Sequence, residues 1–257
     1  MTRPTRHRPS LTSALHSALA LAALLHLAPA PAQAANLQIS PVSIQFRAGQ
    51  GAAGINLQNY GDTPLYGQVR VYTWDQRDGQ DVLTPATDVV ASPPVMEIAA
   101  RSTQTIRLVR RGTTQAPVEQ TYRILIDEIP RGDSAGAATG VAIRLQYSVP
   151  VFAMPLDDKA APRLSWTVLR KDGAWILRVR NDGNLHAQIG ATTLKGPDGK
   201  DHELSKGLLG YTLPGKSREW RLPVDGAVEL GAPGAALAIR ASVNAQPLAA
   251  SGTIVRE

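Results

Sequence analysis

Apolar and polar residues alternate with a period of two along most of this chain. Ile55-Asn56-Leu57-Gln58, Gly67-Gln68-Val69-Arg70-Val71-Tyr72 and Thr105-Ile106-Arg107-Leu108-Val109 carry the pattern in the first half. Tyr122-Arg123-Ile124-Leu125-Ile126 repeats it, as does Trp175-Ile176-Leu177-Arg178-Val179-Arg180 in the second half. Successive side chains of a strand point to opposite faces, so each run predicts a β-strand with one buried face. Turn formers separate the runs: Tyr60-Gly61-Asp62, Arg77-Asp78-Gly79, Pro93-Pro94, Lys171-Asp172-Gly173, Asn181-Asp182-Gly183 and Pro197-Asp198-Gly199. No segment after the first 34 residues shows the period of an amphipathic helix. Short strands at this spacing predict an all-β protein built of sandwiches.

The opening segment breaks this rhythm. Arg3, Arg6 and Arg8 precede an apolar run, Ala18 to Ala28, and Ala32-Gln33-Ala34 follows. That order predicts a cleaved export leader over residues 1–34; a short membrane anchor is the competing reading. The net charge is +6, and the three leader arginines account for half of it. The remainder is mild, which argues against nucleic acid as a partner and suits an acidic or carboxylate-bearing one. Roughly 220 residues then remain, enough for two domains of about 100 each. We place the first at 35–155, a hinge at 156–162 and the second at 163–257. Pro155, Asp157, Asp158, Lys159 and Pro162 mark the hinge because they break strand pairing and solvate well. Gly132 to Gly140 reads as a loop. The second half keeps the strand-and-turn rhythm without repeating the first half's sequence. There is no cysteine, so disulfides, thiolate metal sites and cysteine nucleophiles are excluded.

Several patterns suggest chemistry and are better read otherwise. Gly210 to Ser217 (GYTLPGKS) satisfies the phosphate-loop pattern. That chemistry needs a helix starting at the lysine, whereas Arg218-Glu219-Trp220-Arg221-Leu222-Pro223 alternates like a strand and ends in proline. We expect a turn and no nucleotide. Arg131-Gly132-Asp133 is too short to signal adhesion. His186 and His202 lack the spacing of metal ligands, and Asp127 and Glu128 point to opposite faces of a strand. All four read as side chains solvated at the surface, and we expect neither enzyme nor cofactor nor metal. Trp74, Trp166, Trp175 and Trp220 could form sugar platforms, which keeps an exported carbohydrate-binding or adhesive sandwich as the alternative; Trp175 and Trp220 sit within strand patterns that favour the core.

Two segments resemble a known family. Ala91 to Arg111 (ASPPVMEIAARSTQTIRLVRR) has a Pro-Pro, a short apolar strand, a turn and the triplet Ile106-Arg107-Leu108. Glu119 to Pro130 (EQTYRILIDEIP) has an acidic residue, an apolar strand and Glu-Ile-Pro. Asn59, Pro64 and Gln68, then Val141 to Pro155, fit the flanking strands. Together they resemble the amino-terminal domain of pilus-assembly chaperones of the chaperone–usher pathway, nearest the archaic, spore-coat-U-associated branch. Arg178 to Gly183 and Leu213-Pro214-Gly215 match the second domain more loosely.

The resemblance implies two immunoglobulin-like β-sandwiches in a boomerang arrangement, periplasmic location, pilin subunits and an outer-membrane usher as partners, and possible self-association without client. It implies donor-strand complementation, in which Val141, Ile143, Leu145 and Tyr147 enter the client's apolar groove from one face of an edge strand. It also implies a basic pair for the client's terminal carboxylate, but the positions that fall in register hold Ser43 and Pro150. Arg107 is the substitute we expect first, with Arg123 and Arg144 behind it. An internal salt bridge from Arg107 to Glu119 or Glu128 is the competing reading. Asn59, Glu119 and Glu128 are expected to be structural.

Overall fold

The structure, a computed structural model, describes residues 37–112, 116–129, 145–196, 199–224 and 229–255. The described residues form eighteen strands and no helix. The segments read as leader, as loop 132–140, and as Val141, Ile143 and Arg144 lie outside them.

Two sheets face each other in the first half. One has the order β1 (Leu37–Ser40), β3 (Ala52–Asn59), β8 (Thr103–Arg110), β6 (Val89–Ser92). The other has β2 (Ile44–Phe46), β10 (Gln146–Ala153), β9 (Gln120–Glu128), β4 (Leu65–Arg77), β5 (Gln80–Pro85), with β7 (Val95–Ile98) also on β4. The alternation read from the sequence supplies the core between them: Ile55, Leu57, Ile106, Leu108, Ile124 and Val151 are enclosed. The chain passes from the first sheet to the second between β1 and β2, so β2 lies parallel to the end of β10.

The second half is one curled sheet. Its order is β14 (Asp201–Ser205), β13 (Ala187–Lys195), β17 (Ala236–Val243), β18 (Gln246–Val255), β11 (Leu164–Lys171), β12 (Ala174–Asn181), β16 (Ser217–Arg221); β15 (Gly210–Thr212) pairs with β13. Val168, Leu177, Val179, Ile189 and Leu194 fill its interior. Asp172 and Gly173 both have positive φ, the conformation a two-residue hairpin between β11 and β12 demands. The architecture is all-β, two immunoglobulin-like sandwiches in tandem.

The two halves share a motif that the sequence reading passed over. Asn59 ends β3 and Asn181 ends β12, and both are fully buried. Each Nδ2 donates to the carbonyl four residues on, Thr63 at 2.8 Å and Leu185 at 2.7 Å. Each reaches a distant carbonyl as well, Ala99 at 3.1 Å and Thr212 at 3.1 Å. Each Oδ1 accepts from a glycine two residues on, Gly61 and Gly183, at 2.9 Å. The turns they steady also correspond: Ser102 N–H donates to Ala99 O, and Lys216 N–H to Leu213 O. Arg101 and Gly215 take the left-handed position in these turns, with φ of 57° and 70°. The phosphate-loop pattern is thus strand, turn and strand, and its Gly215 N–H is engaged by Asn181 O at 2.8 Å.

Candidate functional site: an open strand edge above a domain junction

Strand β10 pairs with β9 along its whole length and with β2 only over Val151–Ala153. Glu128 N–H donates to Leu145 O at 3.3 Å, which sets the phase of the antiparallel ladder. Leu145, Tyr147, Val149 and Val151 therefore exchange main-chain bonds with β9. Gln146, Ser148 and Pro150 turn theirs to the other edge, where no strand lies alongside Gln146 and Ser148 among the described residues. A proline is tolerated at position 150 because its missing N–H would face that edge.

Side chains on β10 follow the same alternation. Leu145 and Tyr147 share the face of Val149 and Val151, which are core. Leu145 is half-buried. Tyr147 packs against the first domain's own core, and its hydroxyl donates to Leu37 O at 3.0 Å. Burial, then the nearby Glu128 charge, raises its phenol pKa. Of the donor residues read from sequence, Tyr147 is thus engaged within its own domain, and Leu145 stands nearest the open end.

The opposite face of β10 leads into the second domain. Phe152, Trp74, Tyr211 and Leu213 form a separate apolar cluster in which both sandwiches take part. Trp74 and Tyr211 meet edge-on with centroids 5.3 Å apart. Gln76 is buried beside them, donating to Tyr211 O at 2.8 Å and accepting from Leu213 N–H at 3.0 Å. A second tie is polar: Nδ1 of His186 lies 2.8 and 2.9 Å from the carboxylate oxygens of the enclosed Glu119. A third is the β4–β5 hairpin tip, where Gly79 O accepts from Arg218 Nη1 at 2.5 Å and Glu219 N–H at 3.2 Å.

Two readings of single residues need correction. His186 is no surface histidine; its ring stacks on Phe152 at 3.6 Å and it partners Glu119, because the fold brings residue 119 against the turn after β12. Arg107 does not bridge to Glu119 or Glu128. It lies exposed on the outer face of β8, in the sheet that does not contain β10, and among the described residues it makes no ion pair. Asp127 stays at the surface as read, where it pairs with Arg70 at 2.7 Å. Asn59 and Glu119 are buried; Glu128 is exposed at the end of β9. None of the four tryptophans is exposed.

Arg123 stands at the junction. It lies opposite Pro150 in the β9–β10 ladder, and the register of β10 with β2 continues to place Pro150 beside Ser43. The guanidinium carbon is 3.8 Å from the Trp74 ring centroid and 5.6 Å from that of Tyr211. Nη1 donates to Ser148 Oγ at 3.2 Å. Burial holds its pKa below the usual arginine value, against the attraction of Asp81 and Tyr211.

Residues 36–157 match the family of pili and flagellar-assembly chaperones, PapD N-terminal domain. Over this segment the chain is similar to the PapD-like pilus-assembly chaperones. A probable fimbrial chaperone, YadV of Escherichia coli strain K12, is 27% identical over 158 residues, 57% of this chain. The match spans 63% of that relative's length. Among solved structures, the CsuC–CsuE chaperone–tip adhesion subunit complex from archaic Csu pili of Acinetobacter baumannii is similar, with TM-score 0.66 and 23% identity over 86% of this chain and 99% of that one. The YadV crystal structure follows with TM-score 0.59 and 20% identity over 84% and 99%. The SafB chaperone in complex with SafA pilin of Salmonella enterica gives 0.58 and 17% over 85% and 97%. At these identities the solved structures bear on the fold. The domain family bears on what the open edge is for.

Proposed function

We propose that this protein is a periplasmic chaperone of the archaic chaperone–usher type, that it captures pilin subunits by donor-strand complementation, and that it hands them to an outer-membrane usher. The observation that carries this reading is the open edge of β10 at Gln146–Ser148, which lies in a domain of the PapD family and directly follows Val141 to Leu145. An unpaired edge of this kind invites pairing with another chain, and a client missing a strand would take up both its main-chain bonds and the alternating side chains that precede it. Three or four such side chains contribute roughly 1.5–3 kcal/mol each before ordering costs, enough to hold a client and still release it to a competing strand. Val141, Ile143 and Leu145 would enter the client; Tyr147 would close the first domain's own core. Residues 156–162 would be the hinge between domains 35–155 and 163–257. Without client, the edge would be covered by a second copy.

The carboxylate anchor is best placed at Arg123. It adjoins Ser43 and Pro150, where the family's basic pair would fall, and it bonds Ser148 on the donor strand; Arg107 is on the other sheet. The test is co-expression with a pilin in the periplasm. Ile143→Asp with Leu145→Asp should abolish pilin recovery while the chaperone keeps its thermal midpoint. Undiminished recovery with a folded chaperone would sink the donor-strand reading.

A further inference from the structure

Arg123 has a surplus of hydrogen-bonding capacity where it can least be left unused. Its five donors are fixed in a planar fork, yet among the described residues the side chain makes one hydrogen bond, to Ser148 Oγ, and no ion pair. Asp81 attracts it only through space. What surrounds it instead is aromatic: Trp74 of the first domain at 3.8 Å and Tyr211 of the second at 5.6 Å. Both rings are immobilised. Trp74 is 2% exposed, and Tyr211 is held through its carbonyl by Gln76 and through its hydroxyl by Gln188 Nε2 at 3.2 Å.

We infer that Trp74 and Tyr211 are positioning residues that pre-set the Arg123 guanidinium for a chain-terminal carboxylate, so that the second domain takes part in gripping the client's end. This rests on the donor-strand reading above. An arginine on an open surface spends rotamer entropy each time it binds, whereas one stacked on a ring has already lost that freedom. The aromatic faces stabilise the cation without occupying its in-plane donors. Those donors are left for an acceptor arriving beside Ser148, and a carboxylate matches the fork with two parallel bonds. Because Tyr211 belongs to β15, the grip depends on the junction between the domains.

The test uses the mature chain and one probe: an acetylated nonapeptide alternating valine and threonine, prepared with a free carboxyl terminus and as its amide. By calorimetry the native chain should bind the acid about tenfold or more tighter than the amide, the worth of a charge-assisted bond. Arg123→Gln should lose that preference. Trp74→Leu and Tyr211→Leu should bring it below about threefold with amide affinity unchanged, whereas Trp74→Phe and Tyr211→Phe should keep it. Leucine variants that retain the preference while Arg123→Gln loses it would overturn the positioning role and leave the anchor at Arg123. A preference that survives Arg123→Gln, or none in the native chain, overturns the anchor as well. Should a leucine variant fail to fold, NMR of the native chain decides. On binding the acid, Arg123 Nε–H should shift and keep its nuclear Overhauser contacts to both rings; an Arg123 that swings clear of them overturns the inference.

Discussion

The carboxylate of Glu119, closed off from solvent, faces Nδ1 of His186 sixty-seven residues away at 2.8 Å. The contact joins the start of β9 to the turn after β12, and the His186 ring rests on Phe152 at the end of β10. A buried pair of this sort is costly to break from one side, since the remaining group stays enclosed without its partner. His186→Ala should therefore destabilise the chain by about 3 kcal/mol and Glu119→Gln by less. Chemical denaturation should also resolve two transitions in His186→Ala where the native chain shows one, and an unchanged single transition would refute the role of this pair as a tie between the domains.

The twin asparagines make a parallel case. Each satisfies four main-chain groups from a fully buried side chain, and alanine would orphan them together. Asn59→Ala and Asn181→Ala should each cost roughly 2–4 kcal/mol in urea unfolding. In the corresponding turns, Arg101→Gly should be neutral or stabilise by up to about 1 kcal/mol, because glycine adopts a φ of 57° without strain and the exposed pair with Asp62 adds little. Gly215→Arg should destabilise.

At the hairpin tip, a Cβ on Gly79 would lie 2.7 Å from Glu219 Cγ, and its φ of 71° disfavours any side chain. Gly79→Val should cost about 1–3 kcal/mol and release Arg218 from the tip. Hydrogen exchange at Glu219 N–H, which donates to Gly79 O, should quicken; protection equal to the native chain would show that the tip is not a fixed contact.

Acid should loosen the junction at Asp75–Lys216 and the first domain at Asp127. Burial alone would raise the Asp75 pKa, but hydrogen bonds from Lys216, Gln76 N–H and Arg77 outweigh it and hold the carboxyl below its usual value. Asp127 behaves alike, with Gln146 and Arg70 outweighing burial. A depressed folded value means that the stabilisation is present above the unfolded carboxylate range, near about 3.9, and is lost as pH falls through the folded values below it. Unfolding free energy should decline below about pH 4, and Asp75→Asn should flatten that decline. A slope identical in the variant would remove Lys216–Asp75 from the account.

Period-two alternation is a local property, and it told most of the fold. Ile55, Leu57, Ile106, Leu108, Tyr122 and Ile124 are buried as their phase required, and the glycine and proline turns fall between strands. The same alternation could not say which strand keeps an open edge, because neighbours in a sheet are chosen by tertiary packing. The phase of β10 emerged only with the Glu128–Leu145 bond, which also turned Tyr147 toward its own core.

Charge pairing was less legible. Arg107 reads as the first anchor because an arginine can grip a carboxylate with two parallel bonds, but the triplet around it records only that its neighbours Ile106 and Leu108 point inward. Arg123 occupies the same kind of position in the next strand, on the sheet where the second domain packs. His186 and Glu119, and likewise Asn59 and Asn181, are separated by far more chain than any local pattern spans. The sequence by itself determined strands, turns, two-sandwich organisation and the family of the first domain, because each is written in short-range order. Only the tertiary structure decided which polar side chains are enclosed and which cation meets the aromatic rings, because burial and electrostatics depend on distances that folding alone creates.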